Sequence, residues 1–128
     1  MTAIVVLENF SLDQKITIYK EAVEQESDAG KLVVGESISV KNLLYILLIE
    51  SSNDAAYAVS ENVGQALFLE KMNQKAKELE MLNTNFSNPT GLDGATNYST
   101  SEDLAKLVKY IIQNEINPVR NEVSNGAR

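Results

Sequence analysis

Residues 40–54 constrain this chain more than any other stretch. Val40, Leu43, Leu44, Leu47 and Leu48 recur at i, i+3, i+4, i+7 and i+8, the stripe of an α-helix. Tyr45, Ile46 and Ile49 fill the other faces, so the helix is apolar nearly all round and is expected to be buried on most sides. Ser39, just ahead, suits an N-cap, because its hydroxyl can accept an orphan backbone N–H. Ser51-Ser52-Asn53 then breaks the run, and Asp54-Ala55-Ala56 follows. Asp54 is expected to cap a second helix that runs to Val63, with Gly64 as its stop. A polar triplet between two apolar helices is costly to bury unless each group finds a partner. It is either a plain helix-to-helix turn or part of a site.

The remaining elements are read the same way. Met1–Glu8 (MTAIVVLE) is apolar and β-branched, and by local propensity reads as a strand. Asn9–Asp13 reads as a turn. Ile16–Tyr19 alternates apolar with polar and reads as a strand. Glu24–Gly30 is a polar loop, and Leu32–Ile38 is extended with a break at Gly35. A third helix covers about Ala66–Glu80, with Phe68, Met72, Ala76 and Leu79 as its stripe. From Asn83 to Tyr98 turn formers dominate, and so long an irregular stretch in a compact protein is often functional. Thr100 opens the last helix, with Asp103 in the position of a short-armed capping box. Leu104, Leu107, Val108, Ile111 and Ile112 form its stripe, and Asn117-Pro118 ends it after Ile116. Residues 1–116 are therefore expected to form one domain, and 117–128 a disordered tail.

Composition excludes several chemistries. With no cysteine and no histidine, disulfides, thiol nucleophiles, Cys-ligated zinc and histidine-based triads are all out of reach. A hydrolase built on this chain needs lysine, a carboxylate or water as its base. A net charge of −7, from 18 acidic and 11 basic residues, argues against a nucleic-acid partner. The longest apolar run, Leu43–Ile49, has seven residues against the roughly 20 that a spanning helix needs. Met1–Leu7 lacks the features of a signal peptide. The sequence pattern Asn-x-Ser occurs at Asn9, Asn85 and Asn97, but nothing points to a glycosylating pathway.

One enzyme class works without histidine. Serine penicillin-binding proteins and β-lactamases combine S-x-x-K, S-x-N and K-T-G elements, with a lysine as base. The chain resembles the D-alanyl-D-alanine carboxypeptidases of the low-molecular-weight penicillin-binding type, peptidase family S11. Stretches that match follow the family's order. They are Met1-Thr2-Ala3 with Val6-Leu7-Glu8, Gly35-Glu36, Val40–Leu48, and Ser51-Ser52-Asn53-Asp54-Ala55-Ala56. Met72-Asn73, Ala76-Lys77, Leu79 and Met81 come next. Asn83-Thr84, Phe86, Asn88-Pro89, Gly91-Leu92-Asp93, Tyr98-Ser99-Thr100 and Asp103-Leu104-Ala105 close the series. The resemblance implies an α/β (α+β) fold of the serine β-lactamase and penicillin-binding type, this chain supplying mostly its helical part with an incomplete sheet. It implies that Met1–Glu8 is the tail of the nucleophile's helix, against the local strand reading. It also implies that Ser51 relays a proton towards the leaving amine, and that Asn53 binds the substrate amide carbonyl and steadies the lysine of S-x-x-K. Ser52 is the family's variable middle position.

The same resemblance implies a peptidoglycan stem peptide as substrate and, for the full-length protein, β-lactams as ligands. It implies no metal or organic cofactor. The expected place of work is the cell envelope, outside the cytoplasmic membrane, with any membrane attachment through segments outside these residues. The pattern departs from the family in places. S-x-x-K would end about two residues ahead of Met1, and no K-T-G occurs. Glu80 stands where the family usually has glycine, and Thr90 where it often has histidine. These residues alone are therefore expected to release no D-Ala, form no penicillin adduct, and expose apolar surface around Leu43–Ile49. The alternatives are a non-catalytic penicillin-binding-like homologue or pseudogene product with a binding role, and a helical interaction domain.

Overall fold

The structure, a computed structural model, describes residues 1–26 and 29–114. The expected helix end at Asn117-Pro118 and the tail 117–128 lie outside the described residues. In chain order the elements are α1 (Thr2–Asn9), β1 (Lys15–Thr17), α2 (Lys20–Val23), β2 (Ser37–Ser39), α3 (Val40–Ile49), α4 (Asn53–Val63), α5 (Gln65–Glu78) and α6 (Ser101–Gln113). β1 and β2 pair antiparallel, with Ile16 opposite Ile38, and Lys15 and Thr17 opposite Ser39 and Ser37. Helices thus cover a two-stranded sheet.

Met1–Glu8 is helical, not a strand. Ile4, Val5 and Val6 are all buried, and Val5 and Val6 join a core with Ile16, Ile18, Leu43, Leu44, Val59, Phe68 and Met72. β-branched residues weakly disfavour helix, a preference of a few tenths of a kcal/mol per residue, whereas burying one such side chain is worth about 1.5–3 kcal/mol. Packing decides the outcome, as the family resemblance implied. A second cluster of Ile4, Ala76, Met81 and Leu107 ties α1 to α5 and α6.

Several helix ends follow the sequence reading. Ser39 Oγ accepts from the Asn42 amide at 3.2 Å, and Thr100 Oγ1 accepts from the Asp103 amide at 3.1 Å. Gly64 ends α4 at φ +97°. Other expectations are corrected. Asp54 does not cap α4: Ser52 does, its Oγ accepting from the Ala55 amide at 3.2 Å. Asp54 instead sits in the first turn, where a carboxylate favours the helix dipole, and is buried with Oδ2 accepting from the Leu32 amide at 3.3 Å. Asp103 does not complete a capping box. Its carboxylate accepts from the Asn83 amide, Thr84 Oγ1 and Lys106 Nζ, and so pins the preceding loop to α6. In Leu32–Ile38 only the end becomes β2, because Gly35 turns the chain at φ +84°. The one-turn helix α2 had no clear sequence signal.

Helix α5 stops at Glu78, and Glu80 adopts a left-handed φ of +58°. The Met81 amide donates to Ala76 O at 2.8 Å and the Glu80 amide to Lys77 O at 3.0 Å, which is a Schellman motif. Met81 packs with Ala76 beneath it. The backbone thus takes the glycine-like turn without glycine. Helix α3 is buried only in its first half. Val40, Leu43 and Leu44 are inaccessible, whereas Leu48 and Ile49 are 46% and 70% exposed. On α6 Leu107 is buried, but Leu104, Val108 and Ile112 face outward. No helix among the described residues is long and apolar enough to cross a membrane.

Candidate active site

The site is built from a helix junction. Helix α3 ends at Ile49, and α4 begins at Asn53. Ser51 takes a left-handed φ of +56°, a conformation uncommon for a residue with a Cβ and one that tends to occur at functional sites. That turn reverses the chain and leaves Ser52 to cap α4. Ser52 is buried, and its hydroxyl also donates to Gly30 O at 2.7 Å. Gly30 has to be glycine. Its φ is +62°, and a Cβ there would lie 2.6 Å from Ser52 Cβ and 2.8 Å from Ile46 Cγ2. Ser51, by contrast, is exposed, and its hydroxyl makes no hydrogen bond among the described residues.

Ser51 opens onto a cleft of about 310 Å³. One wall is the start of α1, Met1 to Ala3, and another is the end of α3, Leu47 and Leu48. Ala56 and Met72 also line it. The third wall is the irregular segment after α5, through Phe86, Asn88, Pro89, Thr90, Gly91 and Asn97. The turn-rich stretch flagged in the sequence thus does border the cleft, but nothing in its pattern showed which of its residues face inward.

That segment is fixed by side-chain amides rather than by secondary structure. Asn73 of α5 pairs with the Phe86 backbone like a neighbouring strand: its Nδ2 donates to Phe86 O and its Oδ1 accepts from the Phe86 amide, both at 2.8 Å. Asn85 and Tyr98 form an isolated antiparallel bridge. Asn88 Oδ1 accepts from the Gly91 amide at 2.8 Å and from Thr90 Oγ1 at 3.2 Å. Thr2 Oγ1 donates to Pro89 O at 2.7 Å, joining α1 to this wall across the cleft's edge.

Asn53 is placed differently from Ser51. It is partly buried at the start of α4, does not line the cleft, and its side-chain amide donates to the Glu26 carbonyl. Ser51 and Asn53 thus flank Ser52 but face separate surroundings. Among the described residues the cleft lining holds no charged side chain. Its polar side chains are the hydroxyls of Thr2, Ser51, Ser52 and Thr90 and the amides of Asn88 and Asn97. A serine hydroxyl is a weak nucleophile until a base stands beside it, and the lining groups here are suited to orienting and hydrogen-bonding a ligand. Among the described residues no group of three His, Cys, Asp or Glu could hold a metal ion.

The sequence pattern of the D-alanyl-D-alanine carboxypeptidase family matches residues 1–125. The chain belongs to that family. A D-alanyl-D-alanine carboxypeptidase of Streptomyces sp. strain K15 is 36% identical, over 89% of this chain and 44% of its own length. The DacF carboxypeptidase of Bacillus subtilis is 34% identical, over 90% of this chain and 31% of its own. Among solved structures, a penicillin-binding protein homologue of Mycobacterium tuberculosis superposes with a TM-score of 0.83 at 30% identity, over 90% of this chain and 45% of its own. The DacD carboxypeptidase of Francisella tularensis does so with a TM-score of 0.83 at 35% identity, over 91% and 30%. The chain spans less than half the length of each of these relatives. Its fold is accordingly part of an α+β penicillin-binding domain, with mostly the helical portion present.

Proposed function

We propose that these residues form the central section of a serine-type D-Ala-D-Ala carboxypeptidase that trims peptidoglycan pentapeptides in the cell envelope through an acyl-serine intermediate. The observation that carries this reading is Ser51. It is the first residue of S-x-N, it is held in a left-handed turn, and its unengaged hydroxyl opens onto the cleft. The nucleophile and its lysine are assigned to an S-x-x-K outside these residues, and a further cationic element to a K-T-G. In that assembly Ser51 hands a proton towards the departing D-Ala amine, and Asn53 binds the amide carbonyl of the substrate. No metal or organic cofactor takes part. β-Lactams acylate the serine of S-x-x-K.

A second reading, a homologue that binds without chemistry, draws on Asn53, whose amide is engaged by the Glu26 carbonyl. One experiment separates the two. The protein encoded by the complete reading frame is purified, and D-Ala release and a covalent fluorescent-penicillin adduct are measured for it and for its Ser51→Ala and Asn53→Ala variants. The carboxypeptidase reading expects both signals, with D-Ala release falling about 10²–10⁴-fold in Ser51→Ala, the range for loss of a proton-transfer group. Absence of both from the unsubstituted protein, or full activity in Ser51→Ala, overturns it.

A further inference from the structure

Helix α1 is held at both of its ends, and by different chemistry. At its start Thr2 Oγ1 donates to Pro89 O at 2.7 Å, and Met1, Thr2 and Ala3 border the cleft. Its middle, Ile4 to Val6, is buried. Near its end Glu8 accepts from two other helices. Lys75 Nζ of α5 lies 2.8 Å from Glu8 Oε2, and the Tyr110 hydroxyl of α6 donates to Glu8 Oε1. Lys75 also pairs with Glu78 at 2.9 Å and stands over the Tyr110 ring, 5.2 Å from its centre. The neighbouring Asn9 accepts from Lys71 Nζ at 3.0 Å. Among the described residues the titratable groups around Glu8 are thus Lys71 and Lys75, with Glu78 behind Lys75, on α5, and Tyr110 on α6. None of them takes part in the chemistry proposed for the cleft.

We propose that Glu8 is a positioning residue: its carboxylate, gripped by Lys75 and Tyr110, sets the tilt of α1 and thereby the seating of Thr2 and Ala3 against Pro89 and the cleft. Glu8 and Thr2 are about 9 Å apart along the helix, on opposite sides of the buried Ile4–Val6 segment. A change of grip at Glu8 therefore pivots the helix and moves its cleft end. Removing the Glu8 charge breaks the ion pair with Lys75 and leaves Lys75 to Glu78. Burial alone would raise the Glu8 carboxyl, but the hydrogen bonds from Lys75 and Tyr110 and the Lys75 charge outweigh it, and the carboxyl lies below the ordinary glutamate range. The grip is thus intact at neutral pH. This inference rests on reading the cleft as the active site, and it concerns how that cleft is held in shape.

The test is a pH titration of the 128-residue chain by NMR, following the Glu8 side-chain carboxyl carbon and the backbone amides of Ser51 and Thr90. These two amides lie on other walls of the cleft. Resonances of Val5 and Lys75 respond to the charge directly and do not bear on the proposal. The expected result is that Ser51 and Thr90 shift with the same midpoint as the Glu8 carboxyl. In Glu8→Gln both amides should sit at the wild-type acid positions at neutral pH and should not titrate over that range. Tyr110→Phe, which removes one hydrogen bond and no charge, should move them part of the way at neutral pH. The proposal is overturned if Glu8 titrates while Ser51 and Thr90 stay fixed. It is equally overturned if Tyr110→Phe leaves both amides in place, a result obtainable even where acid or Glu8→Gln unfolds the chain. A missing penicillin adduct in the complete protein would end the carboxypeptidase reading and leave this titration result standing, so the two can fail separately.

Discussion

Adjacent serines at the α3–α4 junction should respond to substitution with opposite signs. Ser52→Ala removes an N-cap acceptor, which costs about 1 kcal/mol. It also removes the donor to Gly30 O, and a carbonyl left without its partner costs a further 1–3 kcal/mol or so, the lower end if water reaches it. Gly30 is only partly buried, so the sum is about 2–3 kcal/mol. Ser51→Ala removes a hydroxyl that bonds to nothing among the described residues and keeps the strained Cβ, so stability should change by less than about 0.5 kcal/mol. Ser51→Gly removes the Cβ from a left-handed residue. The relief is about 1–2 kcal/mol, reduced by about 0.5–1 kcal/mol for the greater freedom of glycine in the unfolded chain. The net effect is a gain of about 0–1.5 kcal/mol. Urea unfolding followed by circular dichroism reads all three, provided the m-value stays constant across the set. The reasoning is refuted if Ser52→Ala lies within about 0.5 kcal/mol of wild type, or if Ser51→Gly destabilises.

Other consequences are open to the same treatment. Gly30→Ala forces a Cβ to within 2.6 Å of Ser52 Cβ at a φ of +62°. It should cost about 2–4 kcal/mol in urea unfolding, from backbone strain and overpacking together. Asn73→Ala frees both the Phe86 amide and its carbonyl. It should cost about 2–3 kcal/mol and speed hydrogen exchange at the Phe86 amide, with Asn73→Asp in between because a carboxylate can accept but not donate. Acid should destabilise the fold through Glu8 and Asp103. For Asp103, burial raises the carboxyl, but hydrogen bonds from Thr84, the Asn83 amide and Lys106, with the Lys106 charge, bring it below its ordinary value. Both carboxyls then bind protons more readily in the unfolded chain, near the ordinary values of about 4.3 for Glu and 3.9 for Asp. Their contribution is complete above those values and is lost as pH falls through the folded ones. Unfolding free energy measured against pH should therefore be level near neutrality and drop below about pH 4, less steeply in Glu8→Gln.

What could be read from the sequence divides along physical lines. Caps at Ser39 and Thr100 and the stop at Gly64 were legible, because each depends on a residue's own side chain and its next few neighbours. The helix at Met1–Glu8 was not legible by local propensity, since its partners Leu43, Phe68 and Met72 lie far along the chain. The cap of α4 was misplaced by two residues because Ser and Asp are both good capping types. What decided for Ser52 was its second bond to Gly30, 22 residues away. Glu80 shows a different limit. Its left-handed turn is maintained by the Schellman bonds of the helix end and by Lys106 Nζ donating to Glu80 O at 2.6 Å, neither of which the residue type signals. Likewise nothing local marks Asn73 as the partner of Phe86, although that pairing fixes one wall of the cleft.

The triplet itself shows why function can be separated from fold at such a junction. Three consecutive polar residues have three distinct occupations. Ser52 caps α4 and docks the Gly30 loop, so the fold requires a small hydroxyl there. Asn53 opens α4 and ties down Glu26. Ser51 alone meets no folding requirement through its side chain, and its backbone would be more comfortable as glycine. A turn optimised for stability would place glycine at that position. A serine there, its hydroxyl unbonded among the described residues and at the edge of a 310 Å³ cleft, is what the proposed proton-relay role accounts for. Stability and proposed activity should accordingly part company at residue 51: Ser51→Gly is expected to give the more stable chain and, in the complete protein, the slower enzyme.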